Sequence, residues 1–210
     1  MMKTVRQIAG LAPVERLDPT RIALILIDFQ REYFDGKLPL PDGPAALAVA
    51  EHLVRTADRL GLTVIHVHQV ATSCTAPLFA PGRGGAEPVL GMVPADHHLR
   101  IVKRLPSSFA GTELAKVLKE RSCDTLIICG LMTHNCVDAT TRDALNFGFA
   151  PIVAADACAT RDLPGAAGAP PVSARQLHDA VLAGLADRIA EVLSTEQILT
   201  LLAKGSVGKD

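Results

Sequence analysis

The chain carries no basic run, and its 21 Lys and Arg nearly balance 22 Asp and Glu, for a formal net charge of −1. That leaves nucleic-acid binding without an electrostatic footprint. No apolar stretch is long enough to span a bilayer. The first residues, Met1-Met2-Lys3-Thr4-Val5-Arg6-Gln7, lack the apolar core of a signal peptide, so a cytoplasmic location is expected. No Cys-x-x-Cys occurs, which argues against a zinc ribbon or a thioredoxin-type redox pair. The five cysteines are odd in number and fall without pairing rhythm, as free thiols in a reducing compartment would. There is no internal repeat and no linker. A single domain spanning 1–210 is expected, its core at about 20–203 with a short tail at each end.

What is present suits a soluble globular protein: 49% of residues are hydrophobic and 20% charged. Arg21–Phe29 (RIALILIDF) is a nearly continuous aliphatic run, the mark of a strand covered on both faces. Apolar residues recur at helical spacing over Pro44–Leu60, ending at Gly61. Further strands are expected at Leu62–Val70, Leu99–Lys103, Thr125–Cys129, Pro151–Ala155 and Ala190–Leu193. Further helices are expected at Thr112–Arg121 with Thr112 as N-cap, His134–Phe147, Ser173–Ala186 and Thr195–Leu202. Such alternation predicts a doubly wound, Rossmann-like parallel sheet with helices on both faces. Two irregular stretches, Ala71–His98 and Asp156–Pro171, break the rhythm, and loops of that length are often functional.

In such a sheet ligands bind beyond the carboxyl ends of the strands, where strand order reverses. Three reactive side chains fall at such ends. Asp28 closes the first strand and Lys103 the third. Cys136 follows the strand ending at Cys129 and enters a helix whose N-cap is expected at Thr133. If the first and fourth strands are neighbours, the three converge. A carboxylate accepts the thiol proton and passes it to a leaving amine. An ammonium steadies both charges, and the thiolate attacks a carbonyl. The helix N-terminus and Lys103 together are expected to favour thiolate over thiol. Taken singly, each residue has a plainer role: a packed cysteine, a turn aspartate, a solvated lysine.

Three segments carry a resemblance. Leu26-Ile27-Asp28-Phe29-Gln30, Lys103 through Thr112 (KRLPSSFAGT), and Gly130 through Val137 (GLMTHNCV) with Thr141-Arg142-Asp143-Ala144 together resemble the isochorismatase-like cysteine hydrolases. Val153 through Thr160 matches a further segment. That superfamily includes nicotinamidases, N-carbamoylsarcosine amidases and ureidoacrylate amidohydrolases. The resemblance implies a six-stranded parallel sheet and an Asp–Lys–Cys triad at Asp28, Lys103 and Cys136. It also implies a cis peptide at Leu131–Met132, and an oxyanion hole from the backbone N–H groups of Met132 and Cys136. Phe34 and Phe109 occupy places that border the family's pocket, and His134 and Asn135 flank the nucleophile. It further implies a homo-oligomer, a dimer or tetramer, with Ala180–Leu185 as apolar material for the interface.

Two departures narrow this. Nicotinamidases carry an Asp-x-His pair and another His after the second strand to hold a metal. Here the segment reads Ile65-His66-Val67-His68-Gln69-Val70, whose two histidines share one strand face. No metal and no cofactor are expected. True isochorismatases cleave a vinyl ether and lack the cysteine, so Cys136 favours C–N hydrolysis of a small amide, ureido or carbamoyl substrate. Isochorismate hydrolysis and non-catalytic small-molecule binding are the alternatives. Arg83 and Arg161, in the long loops, are candidates to pair with a substrate carboxylate, and His97-His98 reads as a surface turn.

Overall fold

The computed structural model describes residues 2–206, so Met1 and residues 207–210 of the expected tails lie outside it. The elements run α1 (Val5–Ile8), β1 (Ile22–Ile27), α2 (Gly43–Leu60), β2 (Thr63–Gln69), β3 (Leu99–Lys103), α3 (Leu114–Glu120), β4 (Thr125–Leu131), α4 (Asp138–Asn146), β5 (Ala150–Ala159), α5 (Ala174–Arg188), β6 (Glu191–Leu193) and α6 (Thr195–Ser206). Six strands form one sheet in the order β3-β2-β1-β4-β5-β6, every pair parallel. The aliphatic run that predicted a doubly covered strand is β1, all six of its residues buried at the sheet centre. Strand order reverses between β1 and β4. Right-handed crossovers run one way from β1 through α2 to β2, and the other way from β4 through α4 to β5. They therefore place α2 and α4 on opposite faces. α6 packs beside α2, and α5 beside α4.

Local signals explain most boundaries. Gly61 stops α2 in the left-handed conformation (φ 67°) and donates back to Ala57 and Asp58. Ser173 and Gln176 form a capping box that starts α5.

Four expectations are corrected. β4 does not end at Cys129 but runs to Leu131, with Gly130 inside it at φ 140°. β5 does not stop at Ala155. A register shift opposite Gly130 lets it continue, pairing Cys158 with Gly130 and Ala159 with Leu131. Asp156 had suggested a loop, but it stays in the strand and accepts hydrogen bonds from Thr195 N and Oγ1, starting α6. Cys158 is thus a buried strand residue. Glu113, not Thr112, is the N-cap residue of α3, but Thr112 Oγ1 still accepts from Leu114 N at 3.2 Å while donating to Ser108 O. Finally, the apolar side chains of Ala180–Leu185 are spent internally: Leu182 and Leu185 are buried, Val181 packs on the core, and Ala180, Ala183 and Gly184 face outward.

Candidate active site

The pairing of β1 with β4 brings the three strand-end residues together. Asp28, one residue past β1, takes a left-handed conformation (φ 55°), which aspartate tolerates better than most side chains. Its N–H is anchored on Val67 O at 2.9 Å. Lys103 ends β3, two strands away. Its Nζ lies 2.8 Å from Asp28 Oδ2, both side chains fully buried. The same ammonium donates to Gln69 Oε1 at 2.8 Å and to Cys136 Sγ at 3.1 Å. An ammonium has three donors, so these partners fix its position.

The segment after Lys103 is bolted to α4. Ser107 Oγ donates to Asp143 Oδ2, and Ser108 N to Thr140 Oγ1. Phe109 stacks on Phe147 and Phe149. On the other side Gln30, fully buried, clamps β2: its Oε1 accepts from Gln69 N while its Nε2 donates to Gln69 O and Ala86 O.

Cys136 sits in a π-turn over Thr133–Val137 that precedes α4, entered across a cis Leu131–Met132 peptide. Thr133 does not cap it. Met132 is the N-cap residue and makes no side-chain cap bond, while Thr133 Oγ1 pairs with His178 Nδ1 at 2.9 Å. Cys136, 4% exposed, opens onto a recess of about 200 Å³ lined by Tyr33, Gln69, Phe79, Arg104, Pro106 and Asn135.

Of the expected pocket residues, then, Asn135 lines the recess. Phe34 does not: it borders a different depression with Pro88, Leu90 and Val93. The 3₁₀ turn Arg31–Tyr33 presents its neighbour Tyr33 instead. Phe109 is turned into the core beneath α4. His134 is half-buried and pairs through Nδ1 with Thr160 Oγ1. Arg83 is exposed on its loop. Arg161 is close enough to Tyr33 and His134 to influence their ionisation. Tyr33, Gln69, Phe79 and Arg104 are the residues that the sequence did not single out.

The charges of the site differ from expectation in one respect. Burial pushes the Asp28 carboxyl above its usual range, although the Lys103 ammonium opposes this. Burial alone would depress Lys103, but the charges of Asp28 and Cys136 outweigh it and hold the ammonium. Cys136 is not a resting thiolate. Burial and then the Asp28 carboxylate push its thiol up to about 12, against the pull of Lys103. The resting arrangement these shifts favour is a neutral thiol beside the Asp28–Lys103 pair, whose Nζ also donates to Cys136 Sγ.

This changes the labelling experiment. At pH 7 iodoacetamide should alkylate the exposed Cys74 first and Cys136 slowly. The Cys136 rate should climb about tenfold per pH unit as thiolate forms. Cys129, fully buried with a raised pKa, should stay unlabelled while the protein is folded, and Cys158, buried with its thiol pushed up to about 12, should react far more slowly than Cys74. Peptide mapping at several pH values reads this directly. Cys136 labelled fastest at pH 7, with a flat pH profile, would mean a resting thiolate.

Comparison with known proteins follows the same lines. A family model of the isochorismatase domain matches residues 22–197. The chain is 35% identical over 178 residues to the isochorismatase family protein YddQ of Bacillus subtilis (strain 168), covering 84% of this chain and 98% of that one. The crystal structure of an isochorismatase from Pseudomonas putida KT2440 superposes with a TM-score of 0.87 at 31% identity, over 94% of this chain and 100% of the other. Maleamate amidohydrolase of Pseudomonas putida is 29% identical over 149 residues, 62% of this chain and 68% of that protein.

Proposed function

Because the chain belongs to the isochorismatase family of hydrolases, we propose that it cleaves the C–N bond of a small amide, ureido or carbamoyl compound through a thioester on Cys136. The observation that carries this reading is the buried ammonium of Lys103 in contact with both Asp28 Oδ2 (2.8 Å) and Cys136 Sγ (3.1 Å), with Cys136 lining a small recess.

Each group then has a role set by its surroundings. Asp28, made more basic by burial, takes the thiol proton as sulfur attacks the carbonyl carbon. Lys103 stabilises the new thiolate and holds both reactants in line. The developing oxyanion is met by the N–H groups of Met132 and Cys136. The tetrahedral intermediate collapses, the C–N bond breaks, and Asp28 returns the proton to the departing nitrogen. Water, activated by the same carboxylate, then hydrolyses the thioester to an acid and regenerates the thiol. The relative named maleamate amidohydrolase supports an amide substrate class. The recess volume favours a small one, and Arg104 sets positive charge at its rim. The chain's own residues suffice for this sequence of steps without a cofactor or metal.

Screening small amides, ureas and carbamoyl compounds for ammonia or amine release identifies the substrate. Enzyme quenched during turnover should then carry the acyl mass on the peptide containing Cys136. An active substrate that leaves no adduct under quench, with turnover surviving Cys136→Ala, would overturn the mechanism.

Five free cysteines suit a reducing, cytoplasmic setting, and no helix among the described residues is long and apolar enough to cross a membrane. We also propose that the chain self-associates. Its support is the patch around Phe34, Pro88, Leu90 and Val93, where Leu90 is 87% exposed, rather than α5. Light scattering at micromolar concentration should give a multiple of the chain mass, reduced by Leu90→Lys. A monomeric mass for the unmodified protein would sink this.

A further inference from the structure

A second cluster of chemistry-bearing side chains lies away from Cys136, where the last turn of α2 meets the turn before β3. Asp58 belongs to α2, and His97 and His98 lead into β3. The Nε2 atoms of His97 and His98 approach the same oxygen, Asp58 Oδ1, at 3.0 and 2.8 Å. One ligand atom from each of the three residues lies within 4.8 Å of the others. His66 and His68, whose metal-binding potential the sequence raised, form no such group among the described residues. Nor is His97-His98 simply a surface turn: the side chain of His98 is only 3% exposed, against 67% for His97.

We propose that Asp58, His97 and His98 form a binding site for one divalent transition-metal ion of the zinc class, tying α2 to the start of β3. Two imidazoles and a carboxylate on three sides of a point, with an exposed fourth side for water, match the donor set and the open geometry that such ions take. Magnesium and calcium prefer all-oxygen shells. A tetrahedral ion with ordinary bond lengths needs its donor atoms about 3.4 Å apart. The present contacts reach that separation if the exposed His97 ring and the Asp58 carboxylate each move by a fraction of an ångström.

The layer behind the cluster is also of the right kind. His98 Nδ1 faces His66 Nε2 at 3.1 Å, and the two rings stack at 5.1 Å. A metal-ligating histidine characteristically donates its other ring N–H to an acceptor that fixes its tautomer. Here His66 Nε2 is that acceptor. His66 is 2% exposed, and its Nδ1 has no hydrogen-bond partner among the described residues, so moving the His66 proton to Nδ1 breaks no bond there. The change gives up a 3.3 Å contact from Ala95 N–H to His98 Nδ1, and the ion takes the place of the two imidazole hydrogen bonds to Asp58 Oδ1. Lys103 lies five residues beyond His98, roughly 16 Å along β3, so the ion is not placed to act on substrate. Its effect is on the anchoring of β3, the strand that delivers Lys103.

The test uses full-length Cys136→Ser protein, so that the reactive thiol does not compete for the ion, stripped with chelator and titrated with zinc chloride. Calorimetry should give one equivalent per chain, and thermal melts should move upward with zinc concentration as linkage requires. His97→Ala, an exposed change that leaves the His98–Asp58 pair in place, should weaken binding at least tenfold. Asp58→Asn should do the same, and magnesium chloride should give no saturable signal. Cobalt(II) bound at the site should show no thiolate charge-transfer band. Zinc affinity unchanged in His97→Ala, a thiolate band with cobalt, or absence of saturable zinc binding would each overturn the proposal.

Discussion

Lys103→Met is expected to lower kcat/KM at least 10³-fold, about 4 kcal/mol of transition-state stabilisation. The wild-type ammonium touches Asp28, Cys136 and Gln69 at once. Methionine keeps most of the side-chain volume but removes the charge. Asp28 would then be a carboxylate buried without a counter-charge, and burial already pushes its pKa up. Its pKa would rise further, which shifts it toward the protonated form that cannot accept the thiol proton. The thiolate would also lose its one adjacent cation. Both defects fall on the chemical step, so kcat should drop far more than KM rises. Lys103→Arg should fail nearly as badly, because a planar guanidinium does not fit the space of a residue that is 1% exposed. Cys136→Ser separates loss of chemistry from loss of fold: it should melt like the wild type and still be inactive. Lys103→Met protein that is folded and within tenfold of wild-type activity would remove Lys103 from the mechanism.

That the ammonium would stand between Asp28 and the cysteine was readable from strand ends alone, given one condition, the adjacency of β1 and β4. The sheet satisfies it. The same rule, applied evenly, also points to Gln69, the last residue of β2, which lies between the strands of Asp28 and Lys103 and holds the ammonium. Glutamine carries no charge, so nothing in the sequence marks it as a reactive group. The aromatic wall was harder to read. Tyr33 and Phe79 come from two segments far apart in the chain, joined by the buried Glu32, whose carboxylate accepts from Lys37 N and Phe79 N. Phe79 also takes a positive φ of 52°. Neither feature leaves a periodic trace in the sequence.

The errors at helix and strand ends share a cause. Thr133 and Asp156 are residue types that stop or start elements through local hydrogen bonds, and that is the role the sequence suggests for them. In the structure Thr133 pairs with His178 and Asp156 with Thr195, 45 and 39 residues away, whereas Thr112 does bond locally, to Ser108 O and Leu114 N. Composition shows what a side chain is able to bond, and tertiary structure decides with whom. The surroundings of Cys136 oppose the thiolate expectation in the same way. That expectation counts the helix end and Lys103 but not the burial or the carboxylate beside the sulfur.

Gly130→Ala should be the most damaging single-methyl change in the chain's core. Gly130 pairs with Ile27 across the central β1–β4 seam and has φ 140°, a conformation costly for any residue with a Cβ. An added Cβ would stand 2.2 Å from Ile27 O and 2.8 Å from Ile27 C and Cβ. Two of those atoms are backbone of a fully buried strand, so no rotamer change relieves the clash. The strands must separate. A cost of roughly 3–5 kcal/mol is expected, which in a domain of this size lowers the melting temperature by about 6–15 °C. Asp28 follows Ile27 directly, and Cys136 lies six residues beyond Gly130. Displacing Ile27 therefore moves base and nucleophile relative to each other, and kcat should fall more than tenfold even at temperatures where the variant is fully folded. Gly148→Ala is the control. Gly148 also has a positive φ, 85°, but nothing lies within 4 Å of its added Cβ. It should lose only about 1–2 kcal/mol and keep its catalytic rate. Gly130→Ala protein that melts within about 2 °C of the wild type, or that matches Gly148→Ala in both stability and kcat, would show that the β1–β4 seam does not set the geometry of the site.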